Sequence, residues 1–189
     1  MVTIVGICGS TRKASLNGAV LRAAAADMPG DAELRIESIA AIPLYNGDEE
    51  AASGIPDAVT RLKEAIAAAD ALLLVTPEYN NSIPGVAKNA IDWLSRPASD
   101  IARVFGNKPV AIAGASPGGF GTVLAQSAWL PVFKTLGAQV WSGGRLLVSR
   151  AHTVVGEQGD IVDTATRQNI RSFVQAFAAH VAANRRGKG

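Results

Sequence analysis

Cysteine is almost absent from this sequence of 189 residues. Cys8 stands alone, which excludes an intrachain disulfide framework and a cysteine-clustered metal site. Histidine is nearly as scarce: His152 and His180 are far apart, and no His, Cys or carboxylate spacing suggests a metal. Charge of one sign is lacking too. With 18 basic and 16 acidic residues the formal net charge is only +2, so no nucleic-acid partner is expected. The cations are scattered except in the closing Arg185-Arg186-Gly187-Lys188-Gly189, which reads as a solvated, frayed chain end ahead of the alternative, a contact with nucleic acid. Uninterrupted apolar runs such as Ala71 to Val75 are too short to span a membrane. Val2 already begins a strand pattern with no basic residue before it, so no secretory signal is read and the cytoplasm is the expected compartment. Repeats and low-complexity linkers are missing as well.

What is present is a hydrophobic content of 48% against 18% charged residues, the balance of a globular chain rather than a disordered one. The length suits a single domain, residues 1–189, with a substantial core. Apolar runs alternate with helical patterns from end to end. Val2–Cys8 is short and mostly apolar, as a parallel strand buried on both faces should be. Asn17 to Met28 has Val20, Leu21, Ala24 and Met28 at helical spacing and stops at Pro29-Gly30. Leu34–Ile39 alternates as an edge strand, and Ala40 to Ser53 reads as the longest loop. Pro56 suits a first helical turn, with Ile55, Val59, Leu62 and Ile66 on one face and an end near Ala69. Ala71–Val75 is a buried strand, Pro84 to about Arg96 a helix, and Pro109–Ala113 a strand. Thr122 to Leu136 is a helix that Pro131 should bend or interrupt. Gln139–Trp141 is a short strand, resumed at Leu146–Val148, and a helix over Asp160 to Ala183 closes the chain. This alternation predicts a doubly wound parallel sheet.

Behind the first strand comes Gly9-Ser10-Thr11-Arg12-Lys13-Ala14-Ser15-Leu16-Asn17, a turn of hydroxyls, two cations and an Asn that opens a helix. A helix N-terminus presents unsatisfied N–H groups and partial positive charge, so an anion fits there. Ser10, Ser15 and Asn17 can add neutral hydrogen bonds, and Arg12 a planar fork matched to phosphate oxygens. Alone, such a turn reads more readily as an ordinary N-capped βα connection. Gly6 and Gly9 do not form G-x-G-x-x-G, and no G-x-x-x-x-G-K-[ST] occurs, so neither a dinucleotide-binding Rossmann fold nor a P-loop is supported. The remaining common order, 2-1-3-4-5, opens a ligand crevice between strands one and three. Two further loops belong at that edge. Thr76-Pro77-Glu78-Tyr79-Asn80-Asn81-Ser82-Ile83-Pro84-Gly85 is rich in hydrogen-bonding groups, and Gly114-Ala115-Ser116-Pro117-Gly118-Gly119-Phe120-Gly121-Thr122 permits close backbone approach.

These three motifs, the second continuing into Lys88-Asn89-Ala90-Ile91-Asp92-Trp93, make the chain resemble the NADPH-dependent FMN reductase family over roughly residues 2 to 150. That family includes quinone, chromate and azo reductases. The resemblance implies an α/β, flavodoxin-like, doubly wound five-stranded parallel sheet of order 2-1-3-4-5 with helices on both faces. It implies FMN as cofactor, with its phosphate held by Ser10, Arg12, Ser15, Leu16 and Asn17. Pro77, Glu78, Tyr79 and Asn80 should then lie along the isoalloxazine ring, Glu78 through its backbone, and Ser116, Gly118 and Gly119 should close the site. NADPH or NADH would be the electron donor and a quinone or similar small electrophile the acceptor, in ping-pong turnover. A homodimer or homotetramer is also implied, for which Trp93, Trp129 and the Thr122–Leu136 helix are interface candidates, with core packing the competing reading of the two aromatics. No side chain is nominated as nucleophile or general base, and Cys8 reads as a small core hydrophobe. A flavodoxin-type carrier of single electrons is the alternative; the sequence pI near 8.9 argues mildly against it, since flavodoxins are commonly acidic. The chain departs from the family at Leu124, where an arginine is common. Magnitudes require all three loops: hydrogen bonds to a charged group contribute ~1.5–3 kcal/mol each, whereas nanomolar binding needs about 12 kcal/mol.

Overall fold

The computed structural model describes residues 1–186. Six strands, β1 (Val2–Cys8), β2 (Ala32–Glu37), β3 (Ala71–Val75), β4 (Pro109–Ala115), β5 (Gln139–Val140) and β6 (Leu146–Val148), form one parallel sheet. Their order is β2-β1-β3-β4-β5, with β6 also pairing β4. β5 meets the start of β4 at Pro109 and Val110, and β6 meets its end from Ala113 to Ala115. The two short strands therefore share one lane, and the sheet has the five lanes expected from the sequence.

Side chains of the central strands alternate between two cores. Ile4, Leu73, Val75, Ala111 and Ala113 face one side, where α1 (Leu16–Ala26) and α7 (Thr164–Arg186) cover them. Val5, Ile7, Leu72, Leu74, Val110 and Ile112 face the other, beneath α3 (Asp57–Ala68), α4 (Gly85–Leu94), α5 (Ile101–Phe105) and α6 (Val123–Thr135). This period of two on both faces is why the strands read as near-continuous apolar runs.

Several expected boundaries move. The stretch Ala40 to Ser53 is not one loop: it contains α2 (Gly47–Ser53), capped by Asn46, whose Oδ1 accepts from the Asp48 N–H at 3.0 Å. None of its residues is buried, so no apolar period announced it. β2 starts two residues earlier than expected, because pairing with β1 begins at Val2 opposite Ala32. β4 runs two residues longer, to Ala115. The 3-10 turn Ala98–Asp100 and α5 were not anticipated; α5 is five residues long and is anchored by buried Val104 and Phe105. α6 continues through Pro131.

α7 begins at Thr164, four residues later than expected, because Val155 and Ile161 pair in an antiparallel bridge. Asp163 caps it, its Oδ2 accepting from the Thr166 N–H at 2.7 Å. At the other end the helix reaches Arg186, and Arg185 does not behave as a frayed end. Its Nη1 donates to the Met1 carbonyl at 2.7 Å and to Asp70 at 3.0 Å. Gly187, Lys188 and Gly189 of the basic tail lie outside the described residues. Among those residues no helix is long and apolar enough to cross a membrane.

The C-terminus of α1 is tied to α7 by Asp27. Its carboxylate, 5% exposed, accepts from both Arg167 and Arg171. The Arg167 guanidinium, with Arg171 behind it, holds the Asp27 carboxyl below its ordinary value of 3.8 against the opposing effect of burial. A depressed folded-state pKa means that this stabilisation is complete above the ordinary carboxylate value and is lost as pH falls through the folded one. Asp27→Ala should cost about 1.5–3 kcal/mol at neutral pH, since the half-exposed arginines can rehydrate. Urea titrations at pH 7 and at pH 3 should show the gap between wild type and variant shrinking at the lower pH.

Candidate functional site

The turn after β1 is organised by its own hydroxyls. Ser15 caps α1, its Oγ accepting from the Gly18 N–H at 3.1 Å. Ser10 Oγ accepts from the Arg12 N–H at 3.3 Å, curling the turn, and the Arg12 Nη2 donates to the Ala14 carbonyl at 3.1 Å. Arg12 and Lys13 stand exposed. Among the described residues the first-turn N–H groups of Leu16 and Asn17 have no acceptor, as expected where a helix begins. The side chain of Asn17 does not point outward. It is buried against Ala115 at the end of β4, donating to its carbonyl and accepting from its N–H, both at 2.8 Å. Asn17 thus offers only its backbone to a ligand, and its amide joins the first turn to the third loop. Cys8 is half-buried and packs against the core on the α1 side of the sheet, its Sγ 3.6 Å from Ser15 Oγ.

The second loop leaves β3 through buried Thr76 and Pro77. Thr76 Oγ1 donates to the Pro77 carbonyl at 2.8 Å and accepts from Trp129 Nε1 at 3.2 Å. The carboxylate of Glu78 reaches α6, where its Oε2 accepts from the N–H groups of Leu124 at 2.8 Å and Ala125 at 2.9 Å. Tyr79 and Ser82 exchange two backbone hydrogen bonds around Asn80 and Asn81, whose φ angles are 51° and 61°. That is a tight turn with two left-handed residues, a conformation for which asparagine is the usual non-glycine choice. Tyr79 and Asn80 are exposed at its rim.

The third loop is bare backbone. A Cβ at Gly119 would meet nothing within 4 Å, and one at Gly118 only Ser116 Oγ at 3.5 Å. Its far side is held by Arg150 and Ala151, whose N–H groups donate to the carbonyls of Gly118 and Ser116 at 2.9 Å each. The Ser116 N–H in turn donates to Val148.

Direct contacts bring the three loops together. A Cβ on Gly9 would sit 3.1 Å from Pro77 Cδ, and one on Gly114 would sit 2.3 Å from the Thr76 carbonyl and 2.0 Å from Thr122 Oγ1. A cleft of about 340 Å³ lies beside the turn, lined by Ser10, Arg12, Lys13, Ser15, Arg22 and Ser38 among others. It opens towards the end of β2 and does not include the second and third loops.

Sequence reasoning missed several supports. Asn89 and Trp93, one turn apart on α4, both donate to the Pro43 carbonyl, at 2.8 and 2.9 Å, and Asn89 also accepts from the Tyr45 N–H. They pin the segment after β2; their i, i+4 spacing was the available signal. Next to it, Arg96 holds the Glu50 carboxyl below its ordinary range, and the Tyr45 phenol, which donates to Glu50, is pushed up. Trp93 and Trp129 are buried within the chain, at 1% and 0% exposure, so neither offers a surface to a second copy.

A family model described as NADPH-dependent FMN reductase matches residues 2–153. An NAD(P)H-dependent FMN reductase of Pseudomonas aeruginosa is 42% identical over 176 residues, 93% of each chain. A 2-hydroxy-1,4-benzoquinone reductase of a Burkholderia species is 38% identical over 94% of this chain and 95% of its own. Among solved structures, the flavoenzyme FerB of Paracoccus denitrificans, an NAD(P)H:(acceptor) oxidoreductase, superposes with a TM-score of 0.85. Its sequence is 33% identical, and the match covers 97% of this chain and 98% of that one.

The Asn17–Ala115 clamp yields a direct test. Asn17→Ala leaves a buried N–H and carbonyl of Ala115 without partners, and it should cost about 2–3 kcal/mol. The readout is a lowered urea midpoint with an unchanged slope.

Proposed function

The chain belongs to the NADPH-dependent FMN reductase family, and we propose that it is an FMN-dependent NAD(P)H oxidoreductase reducing quinones or similar small electrophiles. The observation that carries this reading is the meeting of three loops at one sheet edge around open backbone donors and the bare Gly118–Gly119 segment. The groups present suit FMN. Ser10, Arg12, Ser15 and the N–H groups of Leu16 and Asn17 would hold its phosphate, where a helix start and an exposed guanidinium favour a dianion. Pro77, Glu78, Tyr79 and Asn80 would border the isoalloxazine ring, and Ser116, Gly118 and Gly119 would admit it close to the backbone.

When bound, FMN would supply the redox chemistry between NADPH or NADH and the acceptor, for which ping-pong turnover is the proposed course. The side chains bind and orient, and none is assigned as nucleophile or general base. Donor and acceptor would use the same exposed rim at Tyr79 and Asn80 in turn. The acceptors named for relatives, quinones among them, support the small-molecule assignment. A homodimer or homotetramer is part of the proposal. Phe120, Leu124 and Leu130 are exposed beside the site and on α6, and such exposed large apolar side chains suit contact with a second copy.

Purified protein should carry or take up FMN, and anaerobic NADPH or NADH should bleach it without a separate reductase. Bleaching that needs such a reductase would instead favour a flavodoxin-type carrier. Initial rates against quinone at several donor concentrations should give parallel double-reciprocal lines. Arg12→Ala should weaken FMN binding about tenfold without changing the fold; unchanged flavin retention after dialysis would remove Arg12 from the phosphate site.

A further inference from the structure

We infer that Glu78 is a positioning residue, locking the loop that borders the flavin ring onto the first turn of α6. The inference rests on the function proposed above.

α6 does not cap itself. Thr122, at its N-cap position, makes no side-chain capping bond; its Oγ1 accepts from Gln126 Nε2 at 3.1 Å instead. The cap comes from Glu78, 46 residues away from Leu124, whose carboxylate satisfies two first-turn N–H groups. A second tie runs from Thr76 to Trp129. The loop is thus fastened to the N-terminal N–H groups of α6 by Glu78 and, one turn further along the helix, to the buried Trp129 side chain by Thr76. Beyond Glu78, the paired Tyr79 and Ser82 close the turn on itself. Pro77 to Tyr79 is therefore held from both ends, and the bond from Glu78 is its central fastening.

Both N–H groups converge on one oxygen, Oε2. A single carbonyl oxygen has the lone pairs to accept both, so the amide of a glutamine can reproduce the bond without the charge. Aspartate keeps the charge but is one methylene shorter and withdraws the oxygen. Charge and geometry can thus be separated. The helix N-terminus also offsets the carboxylate's charge where an electron-rich reduced ring would otherwise be repelled.

The test compares Glu78→Gln, Glu78→Asp and Glu78→Ala with the wild-type holoprotein, reading FMN Kd, the flavin midpoint potential, and KM and kcat for a quinone. Glu78→Gln should keep FMN Kd within about threefold and move the potential upward as a negative charge leaves. Glu78→Asp and Glu78→Ala should each weaken FMN about tenfold or more. Asp163→Ala, which uncaps α7, serves as the stability control and should lower the melting temperature with no change in FMN Kd.

Equal FMN affinity in wild type, Glu78→Asp and Glu78→Ala overturns the inference. So does equal loss in Glu78→Gln and Glu78→Ala, or an equal loss in Asp163→Ala, which would make the effect one of charge or of stability. Wild-type protein that fails to bind FMN overturns the proposed function itself, a result distinct from all of these.

Discussion

The carboxyl edge of the sheet depends on one close approach at the end of β4. With no side chain at Gly114, the Thr76 carbonyl and the Thr122 hydroxyl occupy the space that a Cβ would need. Thr76 begins the second loop and Thr122 ends the third, so this one vacancy sets the distance between them. The next residue, Ala115, is where the Asn17 amide docks from the first turn. Two consecutive positions on one strand thereby fix three loops that are distant in sequence. A parallel sheet makes this possible because its strands all release their chains at the same edge.

The consequence is a candidate site whose three loops are each held by contacts within the chain. α1 is anchored at its start by Ser15 and Asn17 and at its end by Asp27 against α7, which fixes the direction of its first-turn N–H groups. The second loop is fastened to α6, and the third is fastened to the chain beyond β6 by Arg150 and Ala151. Rigid placement of open backbone donors lowers the ordering cost of binding, which matters where many modest hydrogen bonds must together hold one cofactor.

The parts legible in the sequence were those where local chemistry and tertiary structure agree. β1, β3 and β4 are buried on both faces and read as apolar runs; Ser15 caps the helix its spacing suggests. The order of the strands followed from the motifs that were absent and the family that the present ones resemble. α2 escaped because it buries nothing, and α5 because five residues are too few to show a period. At the site, residue types were readable and orientations were not. Asn17 could have turned its amide outward or inward with the same sequence, and the partner that turns it inward lies 98 positions away. Glu78 lies in the loop expected to border the ring, yet its carboxylate serves a helix 46 residues on. Burial of Trp93 and Trp129 likewise depends on Pro43 and Thr76, neither of which is near them in the chain.

α6 joins the two unfinished aspects of this molecule. Its first-turn N–H groups and its buried Trp129 carry the fastenings of the second loop, while its outer face exposes Leu124 and Leu130. Leu124 and Leu130 flank a sector that also carries Ser127, Pro131 and Lys134, so this side of the helix is mixed rather than uniformly apolar. A second copy seated on the outer face would therefore bear on the same helix that positions Glu78. Assembly and cofactor retention would then be linked: burying Leu124 would steady the first turn of α6, and the N–H of that same residue is one of the two that hold the Glu78 carboxylate. Such a link needs no moving part. It would follow from one helix presenting its backbone to the second loop and its side chains to the proposed second copy.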